Sequence, residues 1–171
     1  NQFVSNLKKP VRYRGQYAWR YKERAIRLGG QLIAHSLNRD AAERVVLVPI
    51  PPSKPPDHAE YDDRIARLCG NAAPFQTCEL LSTEEPREPA HHQDGGRSIE
   101  GVYDTLRLHE DRYQGQPICV LVDDVLTTGS SYKACQRKLL ETDGVEQVIG
   151  FFLARCAWPK VEFPPIDFDN T

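Results

Sequence analysis

Methionine is missing from the chain altogether, so its 171 residues are expected to be less than the complete translated product. Long apolar runs are missing too. The longest, residues 45–50 and 148–154, fall far short of the ~20 residues that a membrane helix needs, and no secretory signal is visible. Neither sign of charge dominates. Lys and Arg number 22 against 24 Asp and Glu, a net −2 at neutral pH, so no whole-molecule positive field draws the chain to nucleic acid or acidic lipid. A local basic patch stays open. The five cysteines, Cys69, Cys78, Cys119, Cys135 and Cys156, are widely spaced and include no Cys-x-x-Cys pair. That excludes the common zinc and redox motifs and leaves reduced core thiols in a soluble, cytoplasmic protein as the expectation. Gly-x-Ser-x-Gly, His-Glu-x-x-His and Gly-x-x-x-x-Gly-Lys-Ser/Thr patterns are absent, as is any internal repeat.

What is present reads as one α/β domain over residues 1–171. Residues 1–19 form a basic, aromatic arm with Lys8, Lys9, Arg12, Tyr13, Arg14, Tyr17 and Trp19. It suits either contact with phosphates or a surface arm packed by its rings. Over residues 20–38 the apolar Ala25, Ile26, Leu28, Leu32, Ile33 and Leu37 form a broad helical stripe, weakened in the middle by Gly29 and Gly30. Residues 45–50 are a continuous apolar run without polar alternation, which predicts a strand buried on both faces of a parallel sheet. The following Pro51-Pro52-Ser53-Lys54-Pro55-Pro56 forbids strand and helix and must be a shaped loop.

A helix is expected from Asp57 as cap, with Glu60 three residues on and Tyr61, Ile65, Leu68 and Cys69 at helical spacing until Gly70. Further strands are predicted over residues 75–81, 118–122 and 148–154, and a helix over residues 130–142. The polar stretch 82–101, broken by Pro86, Pro89, Gly95 and Gly96, is too long for a simple connector and reads as a flexible, functional loop. The sheet is expected to run parallel in the strand order 75, 45, 118, 148, with a ligand crevice between the second and third strands. An antiparallel strand within residues 101–108 is allowed.

The informative segment is Val120-Leu121-Val122-Asp123-Asp124-Val125-Leu126-Thr127-Thr128-Gly129-Ser130-Ser131. It leads from a buried strand through two carboxylates and a hydroxyl-rich turn into a helix. A helix start presents unsatisfied N–H groups and positive partial charge, so a phosphate monoester fits against Thr127, Thr128, Gly129, Ser130 and Ser131. Asp123 and Asp124 are acceptors suited to the paired hydroxyls of a ribose. An ordinary β-turn-α junction would require neither the doubled acid nor four hydroxyl residues within five positions.

This segment closely resembles the signature by which type I phosphoribosyltransferases bind 5-phosphoribosyl 1-diphosphate (PRPP). The resemblance implies an open parallel-sheet fold with a small or absent hood. It implies that Asp123 and Asp124 hold the ribose hydroxyls and that Thr127, Thr128, Gly129, Ser130 and Ser131 wrap the 5-phosphate. Val48-Pro49-Ile50-Pro51, with Pro52, Ser53 and Lys54, resembles the family's pyrophosphate loop, and Lys54 would neutralise the leaving group. A plain linker is the other reading of that Pro-rich turn. Tyr61-Asp62-Asp63-Arg64 suits either water-mediated Mg²⁺ organisation or a solvated helix face. Arg97-Ser98-Ile99-Glu100-Gly101-Val102-Tyr103 is similar to a stretch in the competence protein F branch, whose zinc-binding cysteine cluster has no counterpart here.

By the same resemblance, residues 82–101 are the loop that closes over PRPP, with Arg87, His91, His92 and Arg97 as candidates to reach the pyrophosphate. The His pair reads equally as solvated. The implied reaction is attack by an acceptor at ribose C1 with loss of pyrophosphate, Mg²⁺ and Lys54 assisting departure, and Asp123 and Asp124 orienting the sugar. Arg155 and Trp158 are the acceptor-site candidates, Trp158 by stacking on a base, with a plain core or lid role as its alternative. The acceptor itself has no name at this stage. The other reading is a non-catalytic PRPP or nucleotide sensor acting on a partner protein or nucleic acid. No membrane partner is expected, and a homodimer is open.

Overall fold

The computed structural model describes residues 2–86 and 98–157. Four parallel strands form the main sheet in the order β2-β1-β5-β6: β1 Val45–Pro49, β2 Gln76–Thr77, β5 Ile118–Leu126 and β6 Gln147–Arg155. This is the expected strand order. All five β1 residues are buried, as an apolar run in a central parallel strand requires. β1 pairs with β5 from Val45↔Ile118 to Pro49↔Val122, so both strands end at the same edge of the sheet.

Alternate residues feed two cores, one on each face. Val45, Leu47, Val120 and Val122 pack with Leu7 of α1 (Gln2–Leu7), Ile26 and Ile33 of α2 (Trp19–Ser36), and Ile65 and Leu68 of α3 (Arg64–Cys69). Val46, Val48, Cys119 and Leu121 pack on the opposite face with Val102 of α4 (Ile99–Tyr103) and Ala134, Cys135 and Leu139 of α5 (Ser130–Leu139). The result is a three-layer α/β arrangement. Each fully buried Leu or Val side chain contributes about 1.5–3 kcal/mol relative to exposure.

Gly29 and Gly30, which weaken α2 by propensity, are where it meets α3 most closely. A Cβ on Gly29 would lie 2.4 Å from Leu68 Cδ1, and one on Gly30 would lie 2.7 Å from the backbone of Asn71 and Leu68. Absence of a side chain at these two positions sets the separation of the helices.

Several boundaries differ from expectation. The strand expected over residues 75–81 is two pieces: β2 in the main sheet, and β3 (Leu81–Thr83), which turns away to pair antiparallel with β4 (Leu106–Leu108). Leu80 and Leu81 belong to the second core, and following it carries the chain off the sheet edge. The allowed antiparallel strand is thus β4, in a separate two-stranded sheet and preceded by α4. The helix expected from Asp57 starts only at Arg64; residues 57–63 are irregular, with His58 N–H bonded to Pro55 O and Tyr61 N–H to His58 O. Asp57 and Glu60 are exposed, and the buried helical pattern begins at Ile65. β5 runs four residues past the expected Val122, because β6 pairs with it as far as Leu126↔Arg155.

Cys69, Cys119 and Cys135 are buried free thiols, while Cys78 and Cys156 are half-buried. Burial raises the Cys69 pKa and pushes Cys119 up to about 11, so both stay protonated. Among the described residues no helix is long and apolar enough to cross a membrane.

Candidate functional site

The two segments singled out in the sequence meet at the carboxyl edge of β1 and β5. Ile50 N–H donates to Val122 O at 2.9 Å, which ties the Pro-rich loop to the signature strand at its root. Thr83 Oγ1 donates to Pro52 O at 2.7 Å and pins the same loop from the side. Between loop and strand lies a crevice of about 290 Å³, lined by Pro51, Pro52, Ser53, Asp123, Asp124, Thr127 and Ser131 together with Lys8 and Arg64. Open α/β sheets place ligands at this kind of position.

At the turn end, Gly129 has φ +82°, a left-handed conformation that side chains with Cβ adopt at a cost, and it leads directly into α5. Thr128 Oγ1 and Ser130 Oγ lie 3.1 Å apart, and Ser130 N–H points to Thr128 Oγ1 at 3.4 Å. Thr127 and Thr128 are exposed, and the hydroxyls of Thr127 and Ser131 make no hydrogen bond among the described residues. This end presents donors outward.

At the acid end Asp124 is only 2% exposed. Its Oδ2 accepts from Arg64 Nε at 2.9 Å and Nη2 at 2.7 Å, and its Oδ1 lies 3.2 Å from Lys8 Nζ. Arg64 Nη1 reaches Asp62 Oδ2 at 3.1 Å, and Asp62 Oδ2 also takes Lys22 Nζ at 2.6 Å. Lys22 is completely buried and donates again to the backbone O of Lys9 at 2.8 Å. A continuous chain of charges, Lys22–Asp62–Arg64–Asp124–Lys8, therefore links the arm, α2, α3 and β5. Burial lowers the Lys22 pKa, opposed by its bond to Asp62. Burial also acts against the Arg64 charge, but Asp124 and Asp62 outweigh it and raise its pKa.

Asp123 behaves differently. One oxygen accepts the Asp124 backbone N–H at 2.7 Å. Burial first, and the Asp124 charge beside it second, push Asp123 up to about 6. Its charge therefore changes near pH 6.

Lys54 lies in an adjoining groove between arm and loop, with Lys8, Arg12, Glu60, Asp62 and Arg64. Arg155 is exposed at the end of β6, opposite Leu126, and is not among the residues lining the crevice. Arg87, His91, His92, Arg97 and Trp158 lie outside the described residues. Asp62 and Arg64 are not on a solvated helix face: both are drawn into the internal chain of charges, because Asp124 needs a counter-charge where it is buried.

Sequence reasoning missed Lys22; it named Lys8 only as part of an arm suited to phosphates and Arg64 only within a stretch suited to Mg²⁺ organisation, and paired neither with Asp124. Their only signal was the clustering of cations in the arm and an unexplained Asp-Asp-Arg. Among the described residues, no three His, Cys, Asp or Glu side chains stand together as a metal site.

A second cavity of about 160 Å³ lies on the other side of the Pro-rich loop and shares Ile50, Pro51, Pro52 and Ile65 with the crevice. Ser82 Oγ and His109 Nε2 lie 2.9 Å apart in its wall. Burial, with Arg112 and Arg107 adding to it, lowers the His109 pKa and favours neutral imidazole.

The class defined by these observations is an α/β protein with a four-stranded parallel sheet and a polar crevice at its carboxyl edge. No family model and no curated protein matches the chain.

Proposed function

We propose that the crevice binds PRPP or a closely related ribose phosphate, and that the chain is a type I phosphoribosyltransferase-like protein with a small or absent hood. The observation that carries this reading is the meeting of the Pro51-Pro52-Ser53 loop with Asp123, Asp124, Thr127 and Ser131 on one crevice. The 5-phosphate sits against the outward donors of the turn at Gly129. Asp123, with one carboxylate oxygen outside the Asp124 contact, accepts from the ribose diol. Asp124 acts one step back, holding Arg64 and Lys8 in place. Lys8, Arg64 and Lys54 supply positive charge for the diphosphate.

In the transfer, the bond from ribose C1 to the diphosphate oxygen breaks and its electron pair leaves with pyrophosphate, while the acceptor supplies the pair for the new bond at C1. Mg²⁺ would arrive on the diphosphate and neutralise the leaving group, with Asp123 and Asp124 as the crevice carboxylates that would assist through water. The chain's own task is to position and to neutralise.

A second reading, a sensor without turnover, draws on Asp124: both of its oxygens already have cationic partners, so a ligand competing for Asp124 would release Lys8 and the arm with it. Calorimetry with PRPP and Mg²⁺, run beside a pyrophosphate-release assay, separates the two. An enzyme binds and releases pyrophosphate, and Lys54→Ala lowers its turnover; a sensor binds without release, and the same substitution changes affinity alone. Absence of binding to any ribose phosphate would overturn both readings.

A further inference from the structure

The charge of this chain is unevenly divided. Residues 1–30 hold eight Lys and Arg against the single acid Glu23, whereas the rest of the chain holds 14 basic and 23 acidic residues. The one acid is paired with Arg67, and Lys22 is buried. Of the other cations Lys9 is half-buried, and Lys8, Arg12, Arg14, Arg20, Arg24 and Arg27 are exposed. In α2, Arg20, Tyr21, Arg24, Arg27 and Leu28 are exposed and recur at the spacing of one helix face. Tyr17, just before the helix, is 72% exposed and Tyr21 is 41% exposed.

The rings and cations are interleaved. Arg20 Cζ lies 3.5 Å from the Tyr17 ring centroid and 4.8 Å from that of Tyr21, and Arg20 Nη2 donates to Tyr21 Oη at 2.9 Å. Arg14 lies over Trp19 and Arg12 over Tyr13 in the same manner. Each stack holds an aromatic ring and a cation in place ahead of any partner, which lowers the ordering cost of binding. The groove lined by Lys8, Arg12 and Lys54 continues the positive charge toward the crevice.

We infer that this face, the arm together with the exposed side of α2, binds single-stranded nucleic acid. Phosphates need a track of cations. Unpaired bases need exposed aromatic faces, which a duplex does not use and an acidic peptide does not require. The face offers both within about two helical turns, at Tyr17, Arg20, Tyr21 and Arg24. Its far end turns apolar at Leu28 and Leu32, the feature an acidic amphipathic helix would use, so the test includes that competitor. This inference does not rest on the ribose phosphate reading of the crevice.

The test is fluorescence anisotropy of the full chain with labelled oligo-dT and oligo-U of roughly 16 nucleotides, the upper site size of single-strand binders. With phosphates neutralised by Lys9, Arg20, Arg24 and Arg27, affinity should fall about 50-fold between about 50 and 200 mM salt. Tyr17→Ala and Tyr21→Ala should each weaken binding by roughly 5- to 150-fold, the range for loss of one stacked base. Arg20→Glu with Arg24→Glu should abolish binding. Unchanged circular dichroism and unchanged PRPP affinity in these exposed-face variants would separate a failure here from a failure of the crevice reading. Three outcomes would each overturn the inference: no binding at low salt, binding indifferent to both tyrosines, or an acidic helical peptide or anionic vesicle bound more tightly than the oligonucleotides.

Discussion

The two ends of the crevice stand in opposite states of completion. At the acid end, Asp124 is buried with a cation on each oxygen, and the chain of charges runs from there to the fully buried Lys22. At the turn end, Thr127 and Thr128 are exposed and Gly129 holds a left-handed bend that leads into α5. A ligand therefore adds hydrogen bonds at the turn but must share or exchange partners at the acids. Paired charges gather at one end and outward-facing hydroxyls at the other.

The sharpest way to break this contrast is to remove Arg64, which faces two acids at once. Arg64→Met should cost about 3–5 kcal/mol of folding stability, because Asp124 and Asp62 would be left as poorly compensated charges. Urea denaturation measures it, and a loss below about 1 kcal/mol, the level of an exposed pair, would show that the acid end is not a stability element.

Asp124→Asn comes next. From sequence alone the variant should still fold, since two acids that follow a buried strand and line a ligand crevice read as solvent-facing. Burial revises that expectation: the variant should lose about 1–3 kcal/mol of stability as Arg64 and Lys8 lose their counter-charge. It should also bind PRPP about 1.5–3 kcal/mol more weakly, the range for charge-assisted bonds, through Arg64 and Lys8, which lose the partner that holds them toward the diphosphate. Binding equal to wild type in the folded variant would remove Asp124 from the site.

At the turn end, Gly129→Val should cost about 1–2 kcal/mol in stability from the left-handed backbone. A Cβ there meets nothing nearer than Leu126 Cδ1 at 3.8 Å, so strain rather than collision sets this cost. Its larger consequence falls on phosphate binding, read by calorimetry with ribose 5-phosphate. A variant that loses stability but keeps phosphate affinity would place the ligand elsewhere.

The smallest effect is the pH dependence that Asp123 confers. Asp123 titrates near 6 in the folded protein against about 3.9 when unfolded, so it detracts nothing from stability below about pH 4. The penalty grows as pH rises toward 6 and is complete above it. For a ligand that needs the ionised carboxylate, affinity should rise about tenfold from pH 5 to pH 7. Phosphate groups titrate in the same range, so Asp123→Asn is the control: its pH step should shrink, and its stability should no longer decline between about pH 4 and 6. An undiminished step would assign the titration to the ligand alone.

Much of the sheet was legible because the buried strands are apolar runs and Pro51, Gly129 and Gly144 punctuate the chain in mechanistic ways. The turn was legible for the same local reason. The counter-charges were not, because they come from afar: Lys22 lies 40 residues from Asp62 and Arg64 lies 60 residues from Asp124. No periodicity marks such a pair. Nor did local pattern reveal where residues 75–83 leave the sheet, since Leu80 and Leu81 are as apolar as any strand residue and only the second core decides their path. The Asp57 cap misled because a good cap signal stood seven residues ahead of the first residue that forms α3.

The missing side chains at Gly29 and Gly30 give the molecule a mechanical joint. With α2 seated against Leu68 and Asn71, the helices are keyed like a tenon in its slot, with no room for a side chain between them at either glycine. Arg64 opens α3, and Lys22 stands one turn into α2 at the root of the arm, so the joint fixes the lever that connects crevice and arm. Arg64 and Lys22 also share Asp62 Oδ2, so a ligand that draws on Arg64 changes the charge that holds Lys22 at the root of the arm. Gly30→Ala would wedge the joint open and shift that lever's fulcrum. Hydrogen exchange in the arm, compared with and without ligand, would register the lost transmission even where the crevice itself still bound.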